Sequence, residues 1–256
     1  MHLNIHNQLF IVGGATSGFG AAVAERLVVE GAKVIAVART VSKLDTFRKK
    51  YSDQVETLGG DLTDPATVTQ LVESVGDRHL AGVFVNAGGP PANPAMEATL
   101  DQWDGAYRSV LRWKVDLTQR LMPKMTEQQY GRFVFLESVS VRQPIPNLVL
   151  SNSLRMAVVG FVKTLSEEVA ARGITLNIIA PGYHDTAAVD RIFNKRAEQT
   201  GQSAEAVRHQ FVDSLTIGQM GQPSDLAELA AWLLSPGSRY VTGQTIVVDG
   251  GYMKGV

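Results

Sequence analysis

Residues 9–20 read Leu9-Phe10-Ile11-Val12-Gly13-Gly14-Ala15-Thr16-Ser17-Gly18-Phe19-Gly20, an apolar run that passes through a glycine-rich turn into the start of a helical pattern. Four apolar residues bounded by glycine predict a buried strand at 9–12. Glycines at 14, 18 and 20 permit a tight turn, close approach of backbone N–H groups to a pyrophosphate, and close packing of the helix on the strand. Gly14, Thr16, Ser17, Gly18, Phe19 and Gly20 are thus candidates to line a dinucleotide phosphate site. An ordinary strand-to-helix turn carries similar glycines, so the surrounding pattern has to decide.

Outward from this segment, short apolar runs alternate with helix-length amphipathic stretches, the rhythm of a parallel sheet covered on both faces. Strands are predicted at 9–12, 33–38, 55–59, 82–86, 132–135, 175–180 and 245–249. Thr99 followed by Gln102 predicts a capping box opening a long helix that runs towards Met125, and a second long helix is expected over 150–171. Leu226, Leu229, Ala230, Leu233 and Leu234 share one helical face, with Ser224 placed to cap its start. One α/β domain over 1–256 is expected. Its irregular zone at 183–220, with polar helical stretches at 187–200 and 203–214, falls where an open α/β sheet places ligand-covering segments.

Composition removes several classes of function. With 24 basic against 25 acidic residues, the chain has no basic field to gather nucleic acid or anionic lipid. The absence of cysteine excludes disulfides, thiolate metal sites and a cysteine nucleophile. The histidines have no metal-ligand spacing, and no metal is expected. No apolar run approaches the ~20 residues of a membrane span, so a cytoplasmic protein with a small-molecule substrate and no membrane partner is expected.

Asp61-Leu62 follows the third strand and Asn86-Ala87-Gly88 the fourth, both at the carboxyl edge beside the topological switch point. Asp61 can accept from an adenine amino group, and the Asn-Ala-Gly backbone can pass close to a ribose. Together with Ser138, Pro181-Gly182, Thr186 and the closing Asp249-Gly250-Gly251, these motifs occur in order over nearly the whole length. In this the chain resembles the short-chain dehydrogenase/reductase family. That resemblance implies a single-domain Rossmann fold: a seven-stranded parallel sheet of order 3-2-1-4-5-6-7, helices on both faces, a nicotinamide cofactor and a homotetramer built on the two long helices. At the end of the second strand, where an NAD-preferring member carries a carboxylate, this chain has Ala38 and Arg39. Arg39 can pair with a 2′-phosphate, and Ser17 and Thr40 can add hydroxyl donors, so NADP(H) is expected ahead of NAD(H).

The family's chemistry usually rests on an Asn, a Ser and a Tyr-x-x-x-Lys pair. Ser138 holds the serine position, but the tyrosine position falls on Ser151, the lysine position on Arg155 and the asparagine position on Val110. A serine hydroxyl is poorly matched to proton transfer near neutral pH, and a guanidinium cannot relay a proton at all. Arg155, on the same helical face as Ser151, can still hold the nicotinamide ribose and stabilise negative charge. Three readings stay open. Ser138, Ser151 and Arg155 could form an oxyanion site for conjugate reduction of an enone; the Ser151-Asn152-Ser153 helix entrance and the tail 249–254 resemble a divergent branch of the family, the atypical oxoacyl-carrier-protein-reductase-like members and the ene reductases of the bacilysin pathway. Alternatively the protein reduces a ketone with a relocated acid, for which His184 after Pro181-Gly182 is the candidate, against a plain solvated loop histidine. Finally, an intact nucleotide loop beside a changed acid/base site suits a non-catalytic dinucleotide-binding protein.

Overall fold

The computed structural model describes residues 2–255; Met1 and Val256, the ends of the expected 1–256 domain, lie outside the described residues. Seven parallel strands form one sheet in the order β3-β2-β1-β4-β5-β6-β7. They are β1 (Leu9–Gly13), β2 (Lys33–Ala38), β3 (Val55–Gly59), β4 (Leu80–Val85), β5 (Gly131–Leu136), β6 (Ile174–Pro181) and β7 (Thr245–Val248). The fourth strand starts two residues earlier than its sequence pattern and stops before Asn86.

Alternation along β1 sends Phe10 and Val12 to one face and Leu9 and Ile11 to the other, and each face has its own core. On the first face α1 (Gly18–Val29) and α9 (Pro223–Leu234) pack with Val23, Leu27, Leu226 and Leu233 fully buried. Opposite them lie α3 (Pro65–Val75), α5 (Trp113–Glu127) and α6 (Val149–Val169). Each such large side chain removed from water contributes roughly 1.5–3 kcal/mol. The central strands β1, β4, β5 and β6 are buried throughout, which is why they read as continuous apolar runs. No helix among the described residues is long and apolar enough to cross a membrane.

Two expectations need correction. The cap of α9 is Gln222 rather than Ser224: Pro223 takes the first helical position, and the Asp225 carboxylate accepts from the Gln222 N–H at 2.7 Å. Proline's preset φ and missing N–H suit that position, so the start moves back two residues. The helix expected from the Thr99 capping box is in fact three pieces. The box forms, but α4 (Leu100–Ala106) gives way to a π-helical stretch, Tyr107–Arg112, before α5 begins. Its only buried residue is Val110.

In the segment at 183–220, α7 (Ala187–Thr200) and α8 (Ala204–Ser214) form a separate apolar cluster. Phe193, Val207 and Met220 are among its buried members, packed against Tyr183, Phe211 and Tyr252. The remaining helix, α2 (Val41–Lys50), buries only Leu44 against the sheet beside β3.

Candidate active site

At the carboxyl edge β1 and β4 approach so closely that a β-carbon on Gly13 would lie 2.4 Å from the Asn86 carbonyl oxygen. Gly20 is more constrained still, since a β-carbon there would lie 2.2 Å from the Gly14 oxygen. Gly14 and Gly18 turn the loop with φ of 65° and 51°, a region that side chains disfavour. The Asn86 amide donates to Gly13 O at 3.2 Å and ties the turn after β4 to the glycine loop. Ser17, at the N-cap of α1, is exposed and makes no side-chain capping bond, and the first helical turn holds no acidic residue. Its N–H groups and positive dipole end therefore face the crevice uncompensated, which fits a pyrophosphate. Thr16 is half-buried within the loop. Thr186, the N-cap of α7, stands across it with its methyl 3.6 Å from where a Gly18 β-carbon would be.

The residues expected at an adenosine end follow β2 and β3. Arg39 is 77% exposed at its side chain and lies 4.0 Å from the Asp61 carboxylate. Asp61 turns one oxygen inward to accept from the N–H and hydroxyl of Thr63, both at 2.9 Å, leaving the other towards Arg39. Thr40 makes no capping bond to α2 with its hydroxyl. Leu62 is buried under Gly13. Ala87 is half-buried and Gly88 open, with nothing near the position of a β-carbon. Gly182 has a different reason for being glycine: a β-carbon there would lie 2.6 Å from the Asp249 side chain, where Pro181 ends β6 beside β7.

At the candidate catalytic end the structure brings Ser151 and Arg155 together and adds two residues that the sequence reading missed. Arg155 Nε donates to Ser151 Oγ at 3.0 Å, and its Nη1 donates to Glu137 Oε2 at 2.9 Å. The other Glu137 oxygen pairs with the Lys114 ammonium. Side-chain exposure is 0% for Glu137, 4% for Lys114 and 14% for Arg155, so this ion triad is closed to water except at the guanidinium. Desolvation holds the Lys114 ammonium below the ordinary lysine range; Glu137 opposes that shift and Arg155 adds to it. Ser138, half-buried at the end of β5, accepts from Ser140 N–H at 3.1 Å and caps the turn Val139–Val141. The Asn152 amide bonds both N–H and C=O of Ile145, fixing the loop before α6. A signal for the missed pair does exist in the sequence: Glu137 directly follows the apolar run Phe133-Val134-Phe135-Leu136, and Lys114 stands between the apolar Trp113 and Val115.

For His184 the structure corrects one of the two sequence readings. It is no solvated loop residue, being 2% exposed, with Nδ1 3.3 Å from Gly182 O and its ring edge-on to Phe19 at 5.0 Å. Burial lowers its pKa, partly offset by the Gly182 bond and by Asp225, Asp185 and Asp249. The ring is wedged against Gly221, where a β-carbon would lie 2.6 Å from Cδ2. Tyr183 points instead into the α7–α8 cluster, 4.1 Å from the Phe211 ring centre, and burial pushes its phenol up to about 12.

A glycine-turned crevice at the β1/β4 switch point, with an uncapped helix end on one side and a half-buried polar cluster on the other, defines a Rossmann-fold dinucleotide-binding protein. The profile described as enoyl-(acyl carrier protein) reductase matches residues 14–253, and the chain belongs to the short-chain dehydrogenase/reductase family of oxidoreductases. It is 27% identical over 252 residues to the 3-oxoacyl-[acyl-carrier-protein] reductase FabG of Vibrio cholerae, covering 97% of this chain and 98% of that one. Dehydrogenase/reductase SDR family member 4 of Sus scrofa is 28% identical over 96% of this chain and 88% of its own. Among solved structures, L-sorbose reductase from Gluconobacter frateurii, complexed with NADPH and L-sorbose, superposes with a TM-score of 0.92 at 27% identity, covering all of both chains. YwfH, an NADPH-dependent reductase of bacilysin biosynthesis, superposes at 0.93 over 98% of this chain and all of its own; at 21% identity it shows the fold alone.

Proposed function

We propose that this protein is an NADP(H)-dependent reductase whose active site suits conjugate (1,4) reduction of an enone. The observation that carries the proposal is the Ser151–Arg155 pair bonded to buried Glu137. Donors and fixed positive charge are present there, but neither Ser151 nor Arg155 is an acid matched to neutral pH. Gly14, Thr16, Ser17, Gly18, Phe19, Gly20 and Thr186 would hold the pyrophosphate; Asp61, Leu62, Asn86, Ala87 and Gly88 the adenosine and ribose; Arg39 and Thr40 the 2′-phosphate; Pro181 and Gly182 the nicotinamide end. The relatives solved with NADPH support the cofactor.

When bound, the nicotinamide supplies a hydride to carbon. In conjugate addition that carbon is the β-carbon of the enone, and the displaced electron pair moves to the carbonyl oxygen. Arg155 and the hydroxyls of Ser138 and Ser151 stabilise this enolate oxygen, and water protonates the α-carbon afterwards. A carbinol product instead needs a proton on oxygen as hydride arrives, which these groups supply poorly.

Ketone reduction is the second reading, supported by relatives named as 3-oxoacyl reductases over nearly the full length. Product analysis with 4-deuterated NADPH separates the readings. Deuterium on the β-carbon of a reduced enone is expected. Deuterium on the carbinol carbon would establish ketone reduction, and transfer to no carbonyl or enone would favour a binding protein without turnover. We also propose a homotetramer assembled through α6 and through α5 with the π-helical stretch before it, where Leu111, Met122 and Phe161 are only half-buried and Met156 is 47% exposed.

A further inference from the structure

We propose that Lys114 is a positioning residue of this active site: acting through Glu137, it holds the Arg155 guanidinium in place and leaves its positive charge uncompensated at the cofactor end. The inference rests on the reductase reading above. Glu137 is the single carboxylate between two cations. Without Lys114, Glu137 and Arg155 would form a neutral pair, and the site would lose the charge that an enolate oxygen needs. With Lys114 protonated the triad carries one net positive charge, and Arg155 is its only member reaching towards solvent. The guanidinium is also held in orientation. Nη1 is bound to Glu137 and Nε to Ser151, and Nη2 lies against the turn after β4, 3.3 Å from where a Gly89 β-carbon would be.

Stability is a weak explanation for such a triad. Replacing buried ion pairs with apolar groups of similar volume is often neutral or stabilising, because desolvation of the charges is so costly. Lys114 also lies in the first turn of α5, just after the π-helical stretch and one helical turn beyond Val110, where the family carries its asparagine. Such π-helical turns occur frequently at functional sites. The charged groups facing Lys114 are Glu137 from the end of β5 and Arg155 from α6, and the Trp113 ring flanks its ammonium at 5.8 Å. Because burial lowers the proton affinity of Lys114, the charge of the triad is lost as pH rises through a value below that of an ordinary lysine.

The test compares Lys114→Met and Lys114→Arg with the wild type, titrating NADPH and NADP⁺ by fluorescence and measuring enone-dependent NADPH oxidation across pH. The oxidised nicotinamide ring is cationic and the reduced ring neutral, so the charge at Arg155 disfavours NADP⁺. Lys114→Met should narrow the NADPH-to-NADP⁺ affinity ratio at least about threefold, the scale of one charge acting across several ångströms of mixed dielectric. It should also lower kcat by about tenfold or more. Lys114→Arg should keep the affinity ratio and move the alkaline fall in kcat to higher pH. A wild-type ratio in Lys114→Met, or an unmoved alkaline limb in Lys114→Arg, overturns the proposal. If Lys114→Met does not fold, the Lys114→Arg limb and ratio decide alone. A wild type that binds cofactor without turning over leaves the ratio as the test, whereas one that binds neither cofactor form refutes the reductase reading and this inference with it.

Discussion

Arg155 Nε donates to Ser151 Oγ at 3.0 Å across one turn of α6, so the two residues that counting along the sequence sets at the family's lysine and tyrosine positions are bonded to each other. The serine oxygen accepts from the guanidinium and keeps its own O–H to donate. A permanently charged donor thus polarises a second donor, while neither is an acid suited to neutral pH.

Arg155→Ala should lower kcat for an enone by about 10²-fold, the scale of losing an oxyanion donor. The double variant Ser151→Tyr with Arg155→Lys should shift activity towards simple ketones. Steady-state kinetics on an enone and its saturated ketone check both; equal losses on the two substrates in Arg155→Ala would count against an oxyanion specific to conjugate reduction.

NADPH should bind at least about tenfold tighter than NADH, or roughly 1.4 kcal/mol, for one well-formed charged contact at Arg39. Its side chain is exposed and 4.0 Å from Asp61, so it is free to turn to a phosphate. Calorimetric titration of both cofactors should show the preference collapse in Arg39→Ala; a preference that survives would place the discrimination elsewhere.

His184 should make the fold sensitive to mild acid. Burial lowers its pKa, so the unfolded chain binds a proton at this position more readily than the folded one. The corresponding stability is fully present above the unfolded value of about 6.5 and is lost as pH falls towards the depressed folded value. His184→Asn, which keeps a nitrogen near Nδ1 but cannot titrate, should be less stable at pH 8 by about 1–2 kcal/mol through lost packing. It should also lose less between pH 8 and pH 5 than the wild type. Urea midpoints at the two pH values decide this; parallel losses would rule His184 out.

Light scattering at micromolar concentration should show a tetramer of the 27.7 kDa chain. Met156→Lys on the exposed side of α6 should shift it towards smaller species, since a charge buried in an apolar contact is costly. A monomer in the wild type would contradict the assembly.

Much of this architecture was legible in the sequence because the relevant physics is local. Four apolar residues running into Gly13 form the strand that their pattern predicts, and the Thr99–Gln102 capping box closes over four consecutive residues. The glycine positions were readable for the same reason, although their necessity came from contacts: Gly20 must be bare because the Gly14 carbonyl oxygen is beneath it. Counting along α6 also placed Ser151 and Arg155 on one face, since helical spacing alone does so.

What only the tertiary structure decided concerns charges brought together from distant parts of the chain. Lys114, Glu137 and Arg155 come from α5, the end of β5 and α6, and no periodicity relates them. Their meaning depends on burial, which turns a lysine, a glutamate and an arginine that would each be unremarkable in water into one coupled group. The same holds for His184, whose environment is made by Phe19, Gly182 and Gly221 rather than by its neighbours in sequence. Sequence patterning determined where the cofactor crevice lies, because strands, turns and helix starts are local; the fold alone determined the electrostatics beside it, because those depend on distance and dielectric.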